Sequence, residues 1–127
     1  MERKKDIKHF RDLEAYQKAF NHAIQIFQLS KKFPIEERYS LTDQVRRSSR
    51  AVCANLAEAW RKRIYIAVFK HKLTDAMQEA SETQSWLEFS HACGYIDDKT
   101  FRQLDCECEI ILNMLNAMER NAKKFCF

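Results

Sequence analysis

One glycine and one proline in 127 residues leave this chain almost no means of turning sharply. Glycine supplies positive φ and proline presets tight turns, and a β-sandwich or barrel needs such residues between every pair of strands. Long helices joined by few breaks are what remain. Hydrophobic residues make up 46% and charged residues 31% of the chain, enough to fill one core and too regular to suggest disorder. The length suits a single domain spanning 1–127, with loose ends expected at 1–11 and 123–127. No stretch approaches the roughly 20 apolar residues of a membrane-spanning helix. The charged start, Met1 to Asp6, has no apolar run behind it and does not read as a secretory signal.

The apolar spacing divides the chain into four helices. Asp12 is the expected N-cap of the first, and Leu13, Tyr16, Phe20, Ala23 and Phe27 recur three and four residues apart on one face. That helix should run to about Lys32 and break at Phe33-Pro34, because proline pushes its predecessor out of the α region. The second carries Glu36 and Glu37 in its first turn and buries Leu41, Val45, Ser48, Val52, Leu56 and Ala59. The third runs from Ile66 to Cys93, with Phe69, Leu73, Met77, Ala80, Leu87 and His91 inward. Gly94 then stands where a left-handed residue ends a helix. Asp97 or Asp98 caps the fourth, whose inner face is Phe101, Leu104, Cys108, Ile111, Leu115 and Met118. Four such helices with short links predict an all-α, antiparallel up-down four-helix bundle.

Neither metal nor catalytic chemistry has a convincing constellation. The five cysteines are an odd set without framework spacing, which suits reduced thiols in the cytoplasm. Cys106 and Cys108 stand two apart and on a helix point roughly 200° away from each other, so they cannot clip one metal. A di-iron bundle needs two Glu-x-x-His motifs, and only Glu88-x-x-His91 is present. His9, His22 and His71 lack partners at ligand spacing, and no nucleophile motif appears. The expectation is a protein without enzymatic activity and without a cofactor.

Charge is more informative. The stretch RRSSRAVCANLAEAWRKR, residues 46–63, holds six basic residues against the single acid Glu58. Extended to residue 72, it holds eight against one: Arg46, Arg47, Arg50, Arg61, Lys62, Arg63, Lys70 and Lys72. Residues 73–122 hold ten acids against three bases, so the chain is electrically polarised. With Val45 pointing inward, Arg46, Arg50 and Arg47 fall at about 100°, 140° and 200° around the helix. Such a surface attracts phosphate, which guanidinium groups meet bidentately. Trp60 and Tyr65 flank the second knot and could stack on bases. No base-reading motif accompanies them, so the pattern supports backbone contact. A solvated, ion-paired helix face is the competing reading.

Two further features exceed what a lone bundle needs. Trp86, Phe89 and Cys93 form a second apolar stripe on the third helix, and Ala51, Ala54 and Ala57 leave a thin outer surface on the second. Together they predict self-association.

Three stretches of the chain resemble a known family. They are Phe10-Arg11-Asp12-Leu13-Glu14-Ala15-Tyr16-Gln17-Lys18-Ala19; Phe33-Pro34 to Glu37 with Tyr39, Leu41-Thr42-Asp43-Gln44, Arg46-Arg47 and Asn55-Leu56-Ala57-Glu58; and Leu87 with Gly94-Tyr95-Ile96. In these the chain is similar to the four-helix-bundle proteins encoded by intervening sequences of bacterial 23S ribosomal RNA genes. That family is related to accessory variability determinant proteins of diversity-generating retroelements. Cys53 and Ala59 stand where the family usually has proline and glycine, and the surroundings of Glu82 lack part of its acidic-Thr-Gln pattern. A straighter second helix is the expected consequence. The resemblance implies a homopentameric ring with a positive surface that meets nucleic acid, and for the retroelement relatives a reverse transcriptase partner. Only Arg46 and Arg47 carry over from the family pattern; the other basic positions rest on charge and geometry. The sequence thus predicts a homo-oligomeric protein that binds nucleic acid, RNA above all, through a basic surface patch or, alternatively, a protein-interaction adaptor for a partner such as a reverse transcriptase or ribosomal component.

Overall fold

In the computed structural model, which describes residues 6–127, the chain is a four-helix bundle: α1 (Glu14–Ser30), α2 (Leu41–Arg61), α3 (Ile66–Ala92) and α4 (Asp98–Arg120). Side-chain pairs across the helices fix an antiparallel order. Ser48 meets Thr83 and Glu58 meets Lys72 between α2 and α3. Gln84 meets Asp105, and Lys70 meets Glu119, between α3 and α4.

Each helix buries one stripe, but α1 turns further than its aromatic spacing predicts. Ala15, Ala19, His22, Ala23 and Ile26 face inward. Phe20 lies about 100° from Ala19 and ends up half exposed, stacked on Tyr16 at 6.2 Å. Met77, His91 and Phe101 are likewise half-buried at the bundle edge, with the His91 ring stacked on Phe101 at 4.7 Å.

The core has two apolar lobes. One centres on Val52, Leu56, Phe69, Leu73, Ile111 and Leu115, the other on Ile26, Val45, Leu87, Ile96 and Leu104. Between the two lobes lie His22 on α1, Ser48 and Ser49 on α2 and Thr83 on α3, all buried. Buried polar groups must find partners, and these do: Thr83 Oγ1 donates to Ser48 Oγ at 2.8 Å, and His22 Nε2 lies 2.9 Å from the Leu104 carbonyl.

The helix boundaries correct two expectations. Asp12 does not cap α1, whose N-cap is Leu13. Its carboxylate instead accepts from the backbone N–H groups of Lys8 and His9, closing a 3-10 turn over Phe10–Asp12. Those two bonds hold the Asp12 carboxyl below its usual range. Residues 8–11, expected within a loose end, therefore form a hydrogen-bonded turn, and Phe125 stacks on Phe69 at 5.9 Å at the other terminus; residues 1–5 lie outside the described residues. The second correction concerns Glu36 and Glu37, which sit in a 3-10 turn before α2 rather than inside it. Glu37 accepts from the Ser40 hydroxyl (2.6 Å) and the Tyr95 hydroxyl (2.9 Å), tying the α1–α2 and α3–α4 connections together. That bond pushes the Tyr95 hydroxyl up to about 12. The α3–α4 turn follows the expected form, with Gly94 at φ +78° and Asp97 accepting from the Thr100 N–H at 2.7 Å. α2 runs unbroken through Cys53 and Ala59, both buried.

All five cysteines are free. Burial pushes the thiols of Cys53 and Cys108 up to about 11 and about 12 respectively. Among the described residues no helix is long and apolar enough to cross a membrane.

Candidate nucleic-acid interface

The eight basic residues singled out on α2 and α3 do not form one continuous patch. Three of them are held by carboxylates. Arg47 turns toward α3, with Nη1 3.6 Å from Glu79 and Nη2 3.8 Å from Glu82. Burial and the neighbouring Glu82 keep the Glu79 carboxyl above its usual range in spite of that guanidinium. Lys70 pairs with Glu119 at 3.3 Å, and Lys72 with Glu58 at 2.7 Å. The Glu58 contact raises the Lys72 ammonium above its ordinary value. These three belong to the ion-paired flank facing the acidic half of the chain, and the expectation of open cations there is corrected.

The other five have no carboxylate within 4 Å among the described residues, and they divide into two clusters. The first surrounds Phe27. The guanidinium carbons of Arg46 and Arg50 lie 4.9 and 5.4 Å from its ring centroid, and Lys31 Nζ lies 4.9 Å away. Arg46 Nε also donates to Ser30 Oγ at 2.7 Å. One aromatic face thus steadies three cations, an arrangement that uses the ring quadrupole without neutralising the charge. Lys31 and Phe27 are absent from the sequence-based site. Their signal is the four-residue spacing on α1, which becomes meaningful only once α1 lies against α2.

The second cluster closes α2. Arg61 and Lys62 are exposed, whereas Arg63 is half-buried. Its guanidinium lies 3.9 Å from the Trp60 ring and 4.9 Å from Phe127, and Nη1 donates to the Trp60 carbonyl at 2.7 Å. Trp60 is buried beneath it and is not free to stack on a base; Tyr65, 64% exposed, is. Arg61 lies eleven positions after Arg50, so the clusters stand about 16 Å apart along the helix.

The expected oligomer face also divides. Trp86 lies about 100° from the buried Leu87 and packs half into the second core lobe, its Nε1 buried with no hydrogen-bond partner. Phe89 remains 55% exposed, Cys93 is exposed, and Ala54 is the most open of Ala51, Ala54 and Ala57.

Residues 11–117, which take in nearly all of the four helices, match the family model described as 23S rRNA-intervening sequence protein. The chain belongs to this family. A crystal structure of a protein of unknown function from the S23 ribosomal protein family of Bacteroides thetaiotaomicron is similar to it. The two share 27% identity over 84% of this chain and 95% of the other, with a TM-score of 0.76. No curated protein matches the chain. The matched residues of this 23S rRNA-intervening sequence family member include the whole Phe27 cluster and the Arg61–Arg63 knot.

Proposed function

We propose that this protein binds nucleic acid, RNA in preference, through the two open cationic clusters, and does so as a non-enzymatic homo-oligomer in the cytoplasm. The observation that carries the reading is the Phe27 cluster, where Lys31, Arg46 and Arg50 converge on one ring with no carboxylate within 4 Å among the described residues. Arginines paid for by acids would leave no field; these retain theirs. Repetition of the clusters around an oligomer, a pentamer by family resemblance, multiplies that field, and each phosphate met releases condensed counterions.

The test is a salt series. Replacing Arg46 and Arg50 with Ala should weaken binding to RNAs of unrelated sequence alike. The slope of log K against log salt should become shallower by about 0.7 per lost contact on a single strand. Arg47→Ala, which removes an ion-paired side chain, should change the slope far less. An unchanged slope in the Arg46/Arg50 variant overturns the reading. Light scattering on the same samples gives the subunit number.

A second reading, an adaptor for a protein such as a polymerase or ribosomal component, draws on the exposed Phe89 beside Trp86. Purified material distinguishes the two. A high 260/280 nm absorbance ratio that falls in strong salt supports nucleic-acid binding.

A further inference from the structure

The 3-10 turn that Asp12 closes does more than lead into α1. It lies over the last turn of α2, and between them is a cavity of about 350 Å3 whose walls include Lys8, His9, Phe10, Trp60, Arg61 and Arg63. That is the size of a small-ligand pocket, which spans about 300–1,000 Å3. We propose that this cavity receives a terminal phosphomonoester carried on a nucleoside. The proposal adds to the nucleic-acid reading and rests on it only for a strand end as one carrier of that group.

Three features support it. Charge comes first: Lys8, Arg61 and Arg63 bring three fixed cations to one small volume, more than a single phosphodiester requires and suited to the charge of about −1.5 to −2 on a monoester. Glu58, the one acid on the wall, accepts from Lys72 at 2.7 Å, so its charge is already matched. Preorganisation comes second. Arg63 is clamped between Trp60 and Phe127 and bonded to the Trp60 carbonyl, so little freedom is lost when it meets an anion. Lys8 and His9 are placed by their backbone bonds to Asp12, and His9 Nδ1 accepts from the Arg11 N–H at 3.2 Å. Third, Phe10, half-buried, gives the same cavity an apolar wall for a sugar or base. The Phe27 cluster, by contrast, is an open ridge along which a chain of diesters can run.

Calorimetry on the full chain with adenosine 5′-monophosphate and with adenosine tests the proposal. Adenosine 5′-monophosphate should bind at least tenfold more tightly than adenosine. Replacing Lys8 and Arg61, both exposed, with Ala should lower its affinity at least tenfold, while the Arg46/Arg50 variant should retain it. Equal binding of the nucleotide and the nucleoside, no binding of the monophosphate, or undiminished binding in the Lys8/Arg61 variant overturns the proposal. A parallel comparison of 5′-phosphorylated and 5′-hydroxyl oligonucleotides identifies the carrier. A preference lost in the Lys8/Arg61 variant assigns the site to strand ends, and monophosphate binding without that preference assigns it to free nucleotides. Oligonucleotide binding that persists when the monophosphate fails leaves the Phe27 ridge intact. Monophosphate binding when oligonucleotides fail leaves the cavity standing alone.

Discussion

His22 shows how one side chain couples the core to solution conditions. The ring is 4% exposed, and a carbonyl can only accept, so the contact with Leu104 O places the proton on Nε2. Burial dominates and lowers the His22 pKa from 6.5, with the Leu104 bond and the charges of Glu107 and Asp105 opposing it. Below pH 6.5 the unfolded chain takes up a proton there that the folded chain refuses. Stability from this residue is therefore complete above 6.5 and lost as pH falls toward the folded value, by up to about 1.4 kcal/mol per pH unit. Denaturant midpoints between pH 7.5 and 5.5 should fall more steeply for the wild type than for His22→Gln, and parallel lines would contradict the assignment. The sequence marks His22 only as a histidine without ligand-spaced partners. Its burial depends on α1 presenting the Ala19–Ala23 side to the core, and the larger Tyr16 and Phe20 side chains misdirect a reading from periodicity alone. The cations were legible as residues but not as neighbours. Arg46 and Arg47 are adjacent in sequence, yet one rests on Phe27 and the other reaches Glu79, because a step of about 100° sends them toward different helices.

Among the elements, all four helices and their order follow from apolar spacing, and two of the three breaks follow from Pro34 and Gly94, whereas the break between Arg61 and Ile66 contains neither residue type. Gly94 is the clearest case. Its φ of +78° requires the left-handed region, and a Cβ built there meets nothing within 4 Å. A substitution at this position therefore reads backbone strain without steric clash. Gly94→Ala should cost about 1 kcal/mol and Gly94→Asn less, since asparagine tolerates this conformation better. Thermal unfolding of the two variants measures the difference; equal losses would mean that something other than φ limits the turn. The starts of α1 and α2 were less legible because acidic residues before a helix have more than one use. Asp12 serves backbone donors behind it, and Glu37 stands outside α2 to hold Ser40 and Tyr95. A capping pattern gives the chemistry of such a residue but not which N–H it will meet.

At the scale of the molecule, the polarised charge pattern resolves into an ion-paired flank between α2, α3 and α4 and two open clusters on the α1–α2 side. Sequence shows the imbalance, since it is a sum over residues. It does not show the division, which depends on which carboxylates the fold brings within reach. The division has a measurable consequence for a polyanion. Successive phosphates on one strand of a duplex advance about 3.4 Å along its axis, so the separation of about 16 Å along α2 corresponds to an axial advance of about five of them. A three-nucleotide RNA can engage one cluster at a time, whereas a twelve-nucleotide RNA can reach both, and its second contact forms at the effective concentration set by the first. Anisotropy titrations should therefore show affinity rising more steeply with length than the number of added binding registers explains. In an Arg61→Ala/Lys62→Ala variant the excess should vanish while the affinity for the trinucleotide at the Phe27 cluster persists. If the variant keeps the full length dependence, the two clusters do not share one strand, and the Phe27 ridge alone, repeated by neighbouring subunits, must supply the track.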